Sequence, residues 1–279
     1  MPEEQAEPGR RPQHQSAGPN YNRFLPPTDQ LDRFSIVLVA PRNPLNIGAA
    51  ARAMANFGFS HLTVVAPYEP NWREAQSAVG AEALLQNARR TSSLAEAVAD
   101  CTLVLGTGSL EHRKPDQTVL QLPDLVPYLR SELTGDSRAA VVFGPEKHGL
   151  TREDLSYCHR LLVIPTSSRQ PSMNLGQAVA VCLYELATRF AAPEHERSSG
   201  PATLNHPPAC AADLHRLADV VEETMQAAGY SPAAMRAANR HDLDLLLRRL
   251  TLSAPDANRL LGLFRRILWR LRHGPRRDS

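Results

Sequence analysis

Five short apolar runs constrain this chain more than any other feature: residues 35–40 (SIVLVA), 61–66 (HLTVVA), 101–106 (CTLVLG), 138–143 (RAAVVF) and 161–165 (LLVIP). Runs of this length without polar alternation read as strands buried on both faces. Between them lie stretches with helical spacing, at 45–57, 77–87, 93–99 and 123–129. Thr151 and Asp154 form a capping-box pattern ahead of Leu155. Parallel strands need a helix-length crossover, so this alternation predicts an α/β fold: a mainly parallel sheet with helices on both faces. Leu175, Val179, Cys182, Leu183 and Leu186 recur at helical spacing up to Phe190, and that helix should close the domain.

The domain is expected over residues 31–191. Ahead of it, residues 1–20 are rich in Pro, Gln, Glu and Arg and lack large aliphatic side chains, so a disordered tail is expected over 1–30. That stretch has no apolar segment of the kind a secretory signal needs. Residues 192–209 carry Pro, Ser, Gly and charge without periodicity, and read as a linker. Beyond it, 210–279 holds three apolar stripes. The first is Leu214, Leu217, Val221 and Met225, with Gly229 as its stop; the second is Leu243, Leu246, Leu247 and Leu250. Leu260, Leu261, Phe264, Ile267, Leu268 and Leu271 make the third, with arginines on the other side. A unit of ~70 residues is small for a core of its own, so it should dock on the main domain or on a partner subunit.

Three strands run into polar loops bearing Gly or Pro. These are PRNPLNIGAAARAM after the first, FGPEKHGLT after the fourth and IPTSSRQPSMNLGQAVA after the fifth. Open α/β sheets hold ligands at such strand ends, so Asn46, Arg52, Glu146, Ser172 and Asn174 are expected to share one composite site. Each has a plainer alternative. Asn46 could cap its helix, Glu146 could be an acid near a helix start, and Ser172 or Asn174 could cap the helix that follows. Arg52, about one turn into its helix, could be an ordinary surface arginine.

These segments resemble the signature motifs of the SpoU/TrmH branch of the SPOUT methyltransferases, which methylate RNA ribose 2′-hydroxyls with S-adenosylmethionine (AdoMet). The first reads N-I-G-x-x-x-R from Asn46 to Arg52. The second is F-G-x-E with Gly149 and Leu150 following, and the third is I-P followed by P-S-M-N-L-G; the resemblance covers 35–190. It implies a deep trefoil knot in the sheet and a homodimer. It implies an AdoMet pocket lined by Thr107, Gly108, Ser109, Gly144, Ile164, Pro171, Ser172 and Met173, in which small Gly108 and Gly144 would let backbone approach the ligand. It makes Arg52, Asn46, Ser172 and Asn174 the catalytic group. A guanidinium stays protonated and is a poor base. Arg52 is therefore better suited to gripping a substrate phosphate while stabilising the developing alkoxide.

The order of domains resembles the tRNA enzymes of this family that act on nucleotide 32 of the anticodon loop. Expected RNA contacts are Arg52, Glu146, Arg248, Arg249, Arg265 and Arg266. Net charge is only +2, but Arg248, Arg249, Arg259, Arg265, Arg266, Arg270, Arg272, Arg276 and Arg277 cluster near the C-terminus, a pattern that attracts phosphate or simply solvates a helix face. Methylation at another tRNA or rRNA position, and a non-catalytic RNA-binding role, remain open.

Other chemistries find little support. Cys101, Cys158, Cys182 and Cys210 are widely spaced, which argues against a zinc site and fits a reducing cytoplasm. GTGSLE at 106–111 lacks the third glycine of a dinucleotide fingerprint, and neither G-x-x-x-x-G-K-[ST] nor H-E-x-x-H occurs. No apolar run approaches the ~20 residues of a membrane span. No metal is expected, because a sulfonium methyl is already activated.

Overall fold

The computed structural model describes residues 28–75, 80–109, 115–190 and 206–274. Most of the expected tail, most of the expected linker and the start of the helix expected at 77–87 lie outside the described residues. A helical turn, α1 (Thr28–Leu31), leads into β1 (Phe34–Val39), α2 (Pro44–Phe57), β2 (His61–Val65), α3 (Glu69–Ala75), α4 (Glu82–Gln86), β3 (Arg89–Thr91) and α5 (Leu94–Ala97). Then come β4 (Leu103–Thr107), β5 (Thr118–Gln121), α6 (Leu125–Glu132), β6 (Ala139–Phe143), α7 (Arg152–Ser156), β7 (Arg160–Val163) and α8 (Leu175–Phe190).

The strands form one seven-stranded sheet in the order β3-β2-β1-β6-β4-β7-β5, with every pairing parallel. The five apolar runs are β1, β2, β4, β6 and β7. The two strands that sequence reading misses, β3 (RRT) and β5 (TVLQ), lie at the sheet's edges. Their mostly unburied side chains leave no apolar run to detect.

Side chains alternate across the sheet, as strand geometry requires. Phe34, Ile36, Leu38, Leu105, Val141 and Leu162 face one way, packing with Ile47 and Met54 of α2 and Val179 and Leu183 of α8. Val37, Val39, Val104, Ala140, Val142 and Leu161 face the other way, toward Leu94, Val98 and Leu155. Each fully buried aliphatic side chain of this kind contributes roughly 1.5–3 kcal/mol relative to exposure.

Register then brings the motif loops together. Leu38 at the end of β1 pairs with Phe143 at the end of β6, and Thr107 at the end of β4 pairs with Leu162 of β7. The loops after β1, β4, β6 and β7 therefore leave the sheet side by side. From β1 the chain winds outward one way through β2 and β3, and all later strands lie on the other side. The β1/β6 boundary is thus the switch point at which open sheets bind ligands.

Three further helices follow: α9 (Ala211–Ala227), α10 (Arg236–Arg249) and α11 (Ala254–His273). Their shared core is Leu217, Ala218, Val221, Leu243 and Leu247, with Leu260, Leu261 and Phe264 packed against it. Gly229 follows α9 with φ +71°, as the expected stop requires. The unit docks on the α/β domain: backbone N–H groups of Ala211 and Ala212 donate to the carbonyls of Cys101 and Ala99 at 2.8 and 3.1 Å.

The second stripe needs correction. Leu246 and Leu250 are exposed, whereas Asp244 and Arg248 are buried. Helix α10 is covered on two sides, by the leucine core and by the α7 region. Arg248 Nη1 donates to the Asp244 carbonyl at 3.1 Å, and its guanidinium lies 5.3 Å from the Tyr157 ring centre. The polar i, i+4 pair Asp244 and Arg248 is thus buried, while Leu246 and Leu250 of the expected stripe face solvent.

Candidate active site

The helix after β1 starts with a cap the sequence reading did not single out. Asn43 Oδ1 accepts from Leu45 N at 2.9 Å, and Pro44 supplies the first helical residue. Asn46 is therefore relieved of capping and is buried inside the first turn. Its side chain does something else. Asn46 Nδ2 donates to Glu146 Oε1 at 3.1 Å, and Asn46 Oδ1 accepts from Asn174 Nδ2 at 2.8 Å. One amide thus ties the first motif to the second and to the third.

Glu146 completes the junction. Its carboxylate also accepts from the backbone N–H groups of Arg42 and Asn43 at 3.2 and 3.1 Å. Burial raises its pKa, but hydrogen bonds from its own backbone N–H, Asn46, Asn43 and Arg42 outweigh this and hold it below the usual carboxylate range. The stability contributed by this depressed pKa is present above the unfolded value and lost as pH falls through the folded one. Glu146 is therefore ionised at neutral pH and keeps its full acceptor capacity for these donors. Glu146 nevertheless stays exposed and lines the inner cleft, so the RNA contact expected there is kept as part of the proposal below.

Asn174 holds two roles at once. Besides its bond to Asn46, its Oδ1 accepts from Gln177 N at 3.3 Å in the first turn of α8. The Thr166 hydroxyl donates to the Pro171 carbonyl at 3.0 Å and closes the loop before it.

Two cavities flank this loop. The inner cleft, about 300 Å³, is lined by Thr107, Gly108, Ser109, Gly144, Ile164, Pro171, Ser172 and Met173, the whole set expected to hold cofactor. Leu162, Thr166, Leu175, Ala178 and His148 also line it. Sequence reading did not select these, although the FGPEKHG loop flags His148. The outer cavity, about 710 Å³, is lined by Gly48, Arg52, Asn56, Glu74, Asn174 and Gln177 among others. Arg52 is exposed and faces this outer cavity, while Ser172 and Met173 face the inner one.

Gly144 lines the inner cleft as expected and has a second part as well. A Cβ there would lie 2.3 Å from Leu150 N and 2.4 Å from Gly149 C, so the missing side chain makes room for protein backbone. At Gly176 a Cβ would come within 2.6 Å of Ala49 Cβ, so α2 and α8 cross closely where Asn46 meets Asn174.

The arginines divide. Arg249, Arg265 and Arg266 are exposed on α10 and α11 and line neither cavity. Arg248 is 3% exposed, which corrects its assignment as an RNA contact: it cannot reach phosphate from beneath α10. Burial pushes the Cys158 thiol up to about 12 and lowers the His159 pKa to about 3. His159 Nδ1 accepts from Val104 N at 3.1 Å, so this neighbouring pair is neutral and structural. Among the described residues no group of three or more His, Cys, Asp or Glu is placed to hold a metal ion.

Comparison with known proteins agrees with this arrangement. The model of the SpoU rRNA Methylase family matches residues 33–184, which carry all three motif loops. The chain belongs to the SpoU rRNA methylase family. Similarity to some relatives of this SpoU-family chain extends into the C-terminal helices. The tRNA (cytidine/uridine-2′-O-)-methyltransferase TrmJ of Pectobacterium atrosepticum is 33% identical over 244 residues, 84% of this chain and 95% of its own length. The tRNA (cytidine/uridine/adenosine-2′-O-)-methyltransferase TrmJ of Pseudomonas aeruginosa is 39% identical over 157 residues, 56% of this chain and 61% of its own. The crystal structure of TrmJ from Z. mobilis ZM4 superposes with a TM-score of 0.71 at 29% identity, over 84% of this chain and 98% of that one. The SpoU-family sheet and its C-terminal helical region are thus one shared architecture.

Proposed function

We propose that this chain methylates the ribose 2′-hydroxyl of cytidine or uridine 32 in the tRNA anticodon loop, with AdoMet as donor and as a homodimer. The observation that carries the reading is the Glu146–Asn46–Asn174 chain, which locks three motif loops around a cleft lined by the full expected cofactor set. The names of the TrmJ relatives support tRNA and the 2′-hydroxyl. Position 32, the trefoil threading, the division into residues 31–191 and 210–279, and a cytoplasmic site of action belong to the same proposal.

The cleft suits AdoMet chemically. Leu162, Ile164, Met173, Leu175 and Ala178 offer apolar walls for a purine, and Thr107, Ser109, Thr166 and Ser172 offer hydroxyl groups. When bound, AdoMet supplies a methyl already activated on a sulfonium. What remains for the protein is alignment and charge. The Thr107 hydroxyl donates to the Val142 carbonyl at 3.0 Å, so one wall of the cleft is fixed to β6. The Asn46–Asn174 bond holds the loop between the two cavities, which keeps Ser172 on the inner side and Asn174 beside the outer one. Arg52 grips the phosphate next to the target ribose in the outer cavity and stabilises the oxygen as its proton leaves.

Incubating the full chain with AdoMet and an unmodified tRNA, followed by mass spectrometry of the digested RNA, tests the reaction. A 2′-O-methyl group at nucleotide 32 is the expected product. Methylation at a different nucleotide would overturn the position while keeping the enzyme class, and no methylation of any tRNA would sink the reading. Light scattering at micromolar protein should give about twice the 30.7 kDa chain mass. An active particle of single-chain mass would remove the dimer.

A further inference from the structure

Helix α11 carries one exposed tryptophan in the middle of its basic face. At about 100° per residue, Arg265, Trp269, His273, Arg266, Arg259 and Arg270 fall within a sector of roughly 140°, opposite the face buried by Ala257, Leu261, Phe264 and Leu268. Trp269 is 46% exposed. The Arg266 and Arg270 guanidinium groups lie 4.8 and 5.8 Å from its ring centre, and the His273 ring stacks on it at 5.3 Å with an interplanar angle of 21°. Arg265, Arg266 and Arg270 have no carboxylate partner among the described residues, whereas Arg259 faces Asp256 at 3.5 Å and Arg272 faces Glu223 at 2.9 Å. Asp256 is the only acid in the whole helix.

This arrangement is a poor way to build a core and a good way to hold a nucleotide. The indole is the largest apolar side chain available, and it stands on the side of the helix that faces away from the core. Flat cationic groups line up with it in a short ladder. We propose that Trp269 stacks on an unpaired base of the RNA substrate, with Arg266 and Arg270 moving from the indole to the flanking phosphates. Every base has a π-face, so such a platform is tolerant of sequence, and the surrounding arginines supply the charge complementarity for the backbone. The inference rests on the RNA-modifying role proposed above and adds to it a feature of the substrate: a single-stranded nucleotide that contacts the C-terminal helix, in addition to the one being methylated.

The chain has two tryptophans, and Trp72 is buried, so Trp269 is the exposed fluorophore. The full chain is titrated without AdoMet against three RNAs: an unmodified tRNA, a ten-nucleotide oligouridine and a perfect duplex of equal length. The emission of a Trp269→Phe variant is subtracted to isolate residue 269. Quenching by tRNA and oligouridine, and little by the duplex, is expected. Trp269→Ala should weaken tRNA binding roughly five- to a hundredfold, with Trp269→Phe recovering most of it. The slope of log affinity against log salt should stay unchanged in Trp269→Ala, because no cation is lost. It should fall by about 0.7 in Arg266→Gln, the loss of one phosphate contact on a single strand. Wild-type affinity in Trp269→Ala, equal quenching by the duplex, or no recovery by phenylalanine would overturn the stacking role. A change in light-scattering mass with unchanged RNA affinity would also overturn it, by making this face a protein contact. These readouts need no turnover. Stacking without methylation would sink the proposed reaction alone, and methylation without stacking would sink this inference alone.

Discussion

Replacing Arg52 by alanine is expected to lower ribose methylation by at least about a hundredfold, the usual effect of removing one donor that stabilises a developing oxyanion. AdoMet affinity, measured by calorimetry, should stay within a few-fold of the wild type. The separation follows from geometry. Arg52 faces the outer cavity with Gly48, Asn56 and Asn174, whereas the inner cleft is lined by residues from the loops after β4, β6 and β7. The side chain is exposed on α2, and its removal leaves the buried neighbours Ala51 and Ala53 in place, so the fold should be unaffected. Arg52→Lys should fall between the two, because an ammonium keeps the charge but loses the planar fork that grips a phosphate through two oxygens. Loss of AdoMet binding in the alanine variant would put Arg52 in the cofactor site. Retained turnover would leave it an ordinary surface residue.

The sheet was readable in the sequence because its interior strands are buried on both faces. SIVLVA and RAAVVF can be little else. The edge strands β3 and β5 were not readable, since an edge strand keeps polar side chains and loses the apolar signal. The candidate site divides in the same way. Clustering of the three loops follows from strand ends and motif order, but the wiring between them does not. Asn43 and Asn46 are both short amides near a helix start. In the folded protein Asn43 caps the helix, whereas Asn46 bridges Glu146 and Asn174. Glu146 reads as an acid near a site and does line the inner cleft, but its role as the acceptor that joins Arg42, Asn43 and Asn46 has no sequence signal. Arg248 failed for a related reason. A run such as LLLRRL gives no sign of which arginine faces inward, and the partner that decides it, Tyr157, lies far away in sequence.

Gly144→Ala should be the most damaging single methyl addition at the site. A Cβ at this position meets Leu150 N and the Gly149 carbonyl carbon at 2.3 and 2.4 Å, and these are backbone atoms that cannot rotate away. Relief requires the whole 145–150 loop to move. That loop carries Glu146, so the Arg42, Asn43 and Asn46 hydrogen bonds shift with it, and Gly144 itself lines the inner cleft. Overpacking of this kind costs about 1–3 kcal/mol or more. For a chain of this size that lowers Tm by roughly 2–4 °C per kcal/mol. AdoMet affinity and turnover should fall together, each by about tenfold or more, in contrast to the separation expected at Arg52. Gly108→Ala provides the comparison for stability, because its Cβ would meet only Leu161 Cδ1, at 3.3 Å, the mobile end of a side chain. Its Tm should drop less. An alanine at 144 that left both Tm and AdoMet affinity unchanged would mean that the loop has slack, and the close backbone packing would then have no part in holding the site together.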